Sequence, residues 1–149
     1  MREYSITALT TQPESHLLEG RTIELAPGVD PSVWLDRLAS TDTLLAAAKR
    51  VHASHSALVD VVACDGVAVA IKQFPSRTPW QRLADRAQGG PAHRALAAAV
   101  HLRAHGVGTP QPIAAVEGDD AACGGGLLLT EWLPDHVSLK DVLIALLSN

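Results

Sequence analysis

The chain has 149 residues, 47% of them hydrophobic and 19% charged, with a formal net charge of −4. That length supports one packed domain rather than two, and so apolar a composition excludes a disordered chain. The acidic balance, with no basic stripe, argues against nucleic acid as the main partner, and no run approaches the ~20 apolar residues of a transmembrane helix.

The opening "MREYSITALTTQPESHLLEG" lacks the apolar core of a signal peptide. A cytoplasmic, soluble protein is the expectation, with Cys64 and Cys123 as small reduced residues rather than a disulfide. "RTIELAP" reads as a short strand ending at Pro27. In "DPSVWLDRLAS", Asp30 stands where an N-cap belongs and Pro31 at the first helical position, which predicts a helix. "TDTLLAAAKR" either extends that helical run or begins the sheet.

"ALVDVVA" and "VAVAIKQF" are two β-rich runs joined by Cys64-Asp65-Gly66, and Asp-Gly between apolar runs is a strong hairpin signal. A helix over "TPWQRLADRAQ" follows, with Thr78 as its cap, and Gly89-Gly90 then breaks the chain. "PAHRALAAAVHLRAHG" predicts a second helix, stopped by Gly106, with Ala92, Leu96, Ala99 and Leu102 along one face. "PIAAVEG" and "LLLTEWL" read as two strands joined by an acidic, Gly-rich loop. Ser138 and Asp141 have capping-box spacing ahead of an all-round apolar helix ending in Leu146 and Leu147.

Within "GVAVAIKQF", strand alternation puts Val67, Val69 and Ile71 on one face and Ala68, Ala70 and Lys72 on the other. The first face is core-like. The second offers two small residues, against which a flat group can lie, and then an ammonium. That combination suits a nucleotide, with a slot for the base and a cation for the phosphates. An edge-strand lysine reaching to solvent is the competing explanation.

Val69-Ala70-Ile71-Lys72 reads V-A-I-K, the motif of the third strand of the protein-kinase fold, where the lysine contacts the α- and β-phosphates of ATP. Downstream, "PAHRALAAAVHLRAHGVGTPQPIAAVEG" resembles a pattern of the lipopolysaccharide kinase family, the Kdo and heptose kinases: an Ala/Arg-rich helix, then G-[IV]-x-T-P-x-P, then a strand. "LLLTEWLP" is similar to that family's fifth strand and hinge. The resemblance covers roughly residues 44–147. It implies an α+β fold: a kinase-like N-lobe with an antiparallel sheet of about five strands and helices packed on one side. Residues 1–43 would be an N-terminal extension with a helix, 44–136 the ATP-binding lobe, and 137–149 the linker and first helix of a second lobe.

By the same resemblance, Lys72 would orient the ATP phosphates and Ala70 would lie over the adenine ring. The backbone of Glu131 and Leu133 would hydrogen-bond the adenine edge, and Leu129 would sit at the back of the pocket; ordinary core packing is the other reading of Leu129 and Leu133, and the two are compatible. Ser54 and Ser56, in "RVHASHSALV", stand where protein kinases have a glycine-rich phosphate loop. The implied cofactors are ATP and Mg2+. The implied acceptor is an inner-core sugar hydroxyl on a lipid-linked glycan at the cytoplasmic face of the inner membrane.

Three features depart from the pattern. No glycine-rich loop precedes the hairpin. Residues 86–116 contain no Glu or Asp, so the helix carboxylate that normally pairs with the lysine is missing; its slot falls near Ala95, and Asp85 is the fallback partner. No H-R-D-like or D-F-G-like segment is present, so the base and Mg2+ ligands are lacking and the chain alone is expected to be inactive. A pseudokinase-like scaffold, docking a partner through the apolar C-terminal helix and the Lys72 face, is the alternative. The lobe of another small-molecule (aminoglycoside-type) phosphotransferase is a third possibility.

Other candidates are weaker. His101 and His105 lie four apart on one helix but read as exposed histidines without a third ligand, and His52 and His55 are less suggestive still. "CGGG" precedes a strand, not the helix a phosphate loop needs. Trp80 and Trp132 are expected in core or hinge packing. Glu117, Asp119 and Asp120 are expected in a solvated turn.

Overall fold

Two hairpins with the same turn chemistry organise the sheet. In a computed structural model, which describes residues 12–118, 124–136 and 146–147, strands β4 (Leu58–Cys64) and β5 (Val67–Gln73) are joined by Asp65 and Gly66, with φ of 49° and 80°. Strands β1 (Glu14–Leu18) and β2 (Arg21–Leu25) are joined the same way by Glu19 and Gly20, at 49° and 78°. Positive φ at both central residues gives a turn whose twist matches that of the flanking strands.

The remaining elements are α1 (Pro31–Ala39), α2 (Thr41–Ala46), β3 (Lys49–Ala53), α3 (Pro79–Gln88), α4 (Pro91–Ala104), β6 (Pro112–Glu117) and β7 (Leu127–Glu131). The fold is α+β. Its seven strands form one antiparallel sheet in the order β1-β2-β6-β7-β5-β4-β3. The expected count of about five is therefore too low. The β1–β2 hairpin, which pairs with β6, extends the sheet into the region read as an N-terminal extension.

The helix starts follow from their caps. Asp30 accepts the N–H of Ser32 at 2.9 Å at the start of α1. Thr78 and Gln81 form a complete capping box on α3. "TDTLLAAAKR" resolves into both alternatives, helix α2 and then the start of strand β3.

Helices cover both faces, not one. On the first face Val69, Ile71, Leu127, Leu129, Ala114 and Val116 pack with Leu38 of α1, flanked by Trp34, Leu44 and Leu45. On the second, Ala115 packs with Ala92 and Leu96 of α4, flanked by Phe74, Val100 and Leu128. Alternation along β6 and β7 divides their residues between these two clusters. The buried stripe of α4 runs Ala92, Leu96, Val100, and Leu102, expected on it, is 40% exposed.

Helix α3 buries no residue. Trp80, expected in packing, is 81% exposed, and Leu83 is exposed beside it. Trp132 is half-buried, and its backbone N–H donates to the Ala68 carbonyl at 2.9 Å. Among the described residues, no helix is long and apolar enough to cross a membrane. The helix expected over 138–147 lies outside the described residues except for Leu146 and Leu147, which are helical and exposed. Asp119, Asp120 and Cys123 also lie outside them; Cys64 is buried and free.

Candidate functional site

Strand β5 lies between β4 and β7, so both neighbours contribute to the Lys72 face. Lys72 pairs with Val59 on one side and Leu128 on the other, and Ala70 with Val61 and Thr130. Directly paired residues point the same way. The face therefore carries Val61, Ala68, Ala70, Lys72, Leu128 and Thr130. Ala68 and Ala70 are half-buried and Lys72 is exposed.

Leu129 is not on this face. It is fully buried with Val69 and Ile71 against the α1–α2 side. It is one position from Leu128 on one side and Thr130 on the other, and the pleat turns it away. Leu129 thus takes the core-packing reading, and Leu128 and Thr130 are the β7 residues that share the lysine's face.

Past β7 the backbone remains available. The Glu131 N–H donates to the Gln111 carbonyl at 2.9 Å, and the Leu133 carbonyl accepts from the His136 N–H at 3.4 Å. Among the described residues, the N–H of Leu133 meets no acceptor. The Glu131 side chain is exposed and Leu133 is half-buried.

Ser54 and Ser56 occupy the turn between β3 and β4, at the end of the sheet where Val59 pairs with Lys72. The turn uses the Ser54 hydroxyl internally: it accepts the Ala57 N–H at 3.2 Å and lies 3.1 Å from the Ala57 carbonyl and 3.3 Å from the Ser56 hydroxyl. Both serines are exposed.

Among the described residues, no carboxylate comes within ion-pair distance of Lys72; its ammonium lies 5.0 Å from the centre of the Phe74 ring. Asp85 does not serve as the fallback partner. It accepts two hydrogen bonds from Arg77, at 2.9 and 3.2 Å, and one from Arg94 at 3.4 Å. The Arg77 bonds, with Arg94 adding, hold its carboxyl below the ordinary range. Two arginines, rather than the lysine, own that charge.

An acidic cluster that sequence reading missed sits at the N-terminus of α4. The N-cap is Gly90, which has no side chain with which to cap. The carboxylate of Glu117, at the end of β6, accepts the N–H groups of Gly90 and His93, each at 3.0 Å. Glu117 is thus a helix cap, not a residue of a solvated turn. The His93 ring lies 2.6 Å from the carboxylate of Glu24 on β2. Burial pushes the Glu24 carboxyl above its ordinary range; His93 pulls it back, and nearby Glu117 raises it further. No local motif joins positions 24, 93 and 117; the β2–β6 pairing and the return of α4 over those strands bring them together.

A cleft of about 730 Å3 adjoins this cluster, lined by residues including Arg77, Trp80, Asp85 and Glu117. Lys72, Ala70, Glu131 and Leu133 do not line it. His101 and His105 are exposed, as expected, with ring centres 4.1 Å apart. His52 and His55 are also exposed. Among the described residues, no group of three or more His, Cys, Asp or Glu is placed to hold a metal. No family model, curated protein or solved structure matches the chain.

Proposed function

We propose that this chain is the nucleotide-binding lobe of an ATP-dependent, kinase-like phosphotransferase, of the type that phosphorylates an inner-core sugar hydroxyl on lipopolysaccharide. The observation that carries the reading is the interior position of β5, between β4 and β7. It sets the small Ala70 and the cationic Lys72 on one open face, beside the strand that leads to the Leu133 N–H. That arrangement supplies a wall for an adenine ring, a donor for its edge and a charge for the phosphates. The described residues do not fit a protein-held Mg2+ site, so no step is assigned to that ion. Nor is a general base assigned. The activity proposed for these residues is binding.

Calorimetric titration of Mg-ATP into wild type and Lys72→Ala tests the reading. Weak binding is expected in the wild type. A hydrogen bond to a charged group contributes about 1.5–3 kcal/mol, so the substitution should weaken binding by roughly tenfold or more. Equal affinity in both proteins would refute the phosphate role of Lys72.

One observation favours a non-catalytic binding module instead. Among the described residues Lys72 has no carboxylate partner, while α3 presents Trp80 and Leu83 to solvent. Failure of the wild type to bind Mg-ATP in the same titration would leave that reading standing.

A further inference from the structure

Phe74 is the single phenylalanine of the chain, and it follows Lys72 by two residues on the same face. Its position is fixed from two sides. Its backbone N–H donates to the Gly126 carbonyl at 2.9 Å, and its carbonyl accepts from Gly125 at 3.2 Å. Its ring packs against the cluster of Ala92 and Leu96 from α4 and Ala115 from β6. The Lys72 ammonium lies 5.0 Å from the ring centre, inside the ~6 Å range of a cation–π contact.

We propose that Phe74 is the positioning residue for Lys72, its ring face holding the ammonium where a helix carboxylate would otherwise hold it. The proposal rests on the nucleotide reading above for what the ammonium is positioned toward. An aromatic face attracts the cation without neutralising it. The lysine has three N–H donors, so it can rest on the ring and still present donors to a phosphate. Because the ring is also packed on α4, a shift of that helix would carry the ring, and with it the lysine.

The test uses the full chain and two readouts. The chain has three lysines, so the ε-methylene signal of Lys72 is assigned in carbon–proton NMR spectra by its loss in Lys72→Ala. In the wild type the ring current should move that signal upfield. Phe74→Leu, which keeps an apolar group against α4, should return it to the position of an exposed lysine, and Phe74→Tyr should preserve the shift. In Mg-ATP titrations Phe74→Leu should weaken binding roughly two- to fivefold, Phe74→Tyr should not, and Phe74→Leu should have no further effect on Lys72→Ala. An unshifted Lys72 signal in the wild type overturns the proposal. So does unchanged Mg-ATP affinity in Phe74→Leu when the wild type binds. If the wild type binds no Mg-ATP, the nucleotide reading falls by itself, and the ε-methylene shift alone decides whether Phe74 holds the lysine.

Discussion

Replacing Glu117 with alanine should loosen α4 from the sheet. The helix begins at Gly90 and Pro91 without a side-chain cap of its own, so the Glu117 carboxylate, reaching across from β6, satisfies the two N–H groups of Gly90 and His93. Losing an N-cap costs ~1 kcal/mol, and losing a negative charge at a helix N-terminus ~0.3–1 kcal/mol. Together the loss should be about 1.5–2 kcal/mol. For a chain of this size that corresponds to a fall in Tm of roughly 6–8 °C, measured by circular dichroism. Gly90→Ala provides the internal control. Gly90 has an ordinary φ of −72°, so its backbone needs no glycine; an added Cβ would instead collide with the Glu117 carboxylate and displace it. Gly90→Ala should therefore cost nearly as much as Glu117→Ala. The double variant should fall well short of the sum, because both remove one interaction. Strict additivity, or a Glu117→Ala protein melting within about 1 °C of wild type, would refute the capping argument.

Two further outcomes follow from neighbouring geometry. The Asp85 carboxyl is held below its unfolded value of 3.8 by its Arg77 and Arg94 partners. The stability it contributes is thus present above that value and lost as pH falls through the lower, folded one. Asp85→Asn should lower Tm near pH 6 and converge with wild type as pH falls through the lowered, folded value; a gap constant with pH would refute the ion-pair account. Leu129→Ala should cost ~2–5 kcal/mol in urea denaturation as a fully buried core leucine, and a loss under about 1 kcal/mol would contradict its assignment to the core.

What was legible in the sequence was local. Asp65-Gly66, Asp30-Pro31 and the Thr78 cap carry their conformations in their own side chains and φ angles, and each marks an element boundary in the structure. The face shared by Ala68, Ala70 and Lys72 follows from pleat alone. Glu19-Gly20 carries the same turn chemistry as Asp65-Gly66. It is less legible as a hairpin because "ESHLL" lacks the run of β-branched residues that marks a strand. Which β7 residues share the lysine's face, Leu128 and Thr130 rather than Leu129, depends on the register with β5, since a slip of one reverses every side chain. The grouping of Glu24, His93 and Glu117 was not legible at all. It depends on β2 pairing with β6 and on α4 returning over them, contacts that no sequence window spans.

These charges decide what Lys72 has available. Among the described residues around α4 the acidic side chains are already committed: Glu117 to the helix N-terminus, Glu24 to His93, and Asp85 to Arg77 and Arg94. The helix itself, from Pro91 to Ala104, carries no acid. An exposed ammonium beside an aromatic ring pays little desolvation, so the fold tolerates it without a counter-charge. A lysine bridged to a helix carboxylate is well oriented, but an arriving phosphate must share it. A lysine held on Phe74 keeps its full charge for an anion and gives up some orientation, because a ring contact is weaker and less directional than an ion pair. A nucleotide bound at this face would therefore depend steeply on ionic strength: exposed charges are screened within a Debye length, about 8 Å at physiological salt.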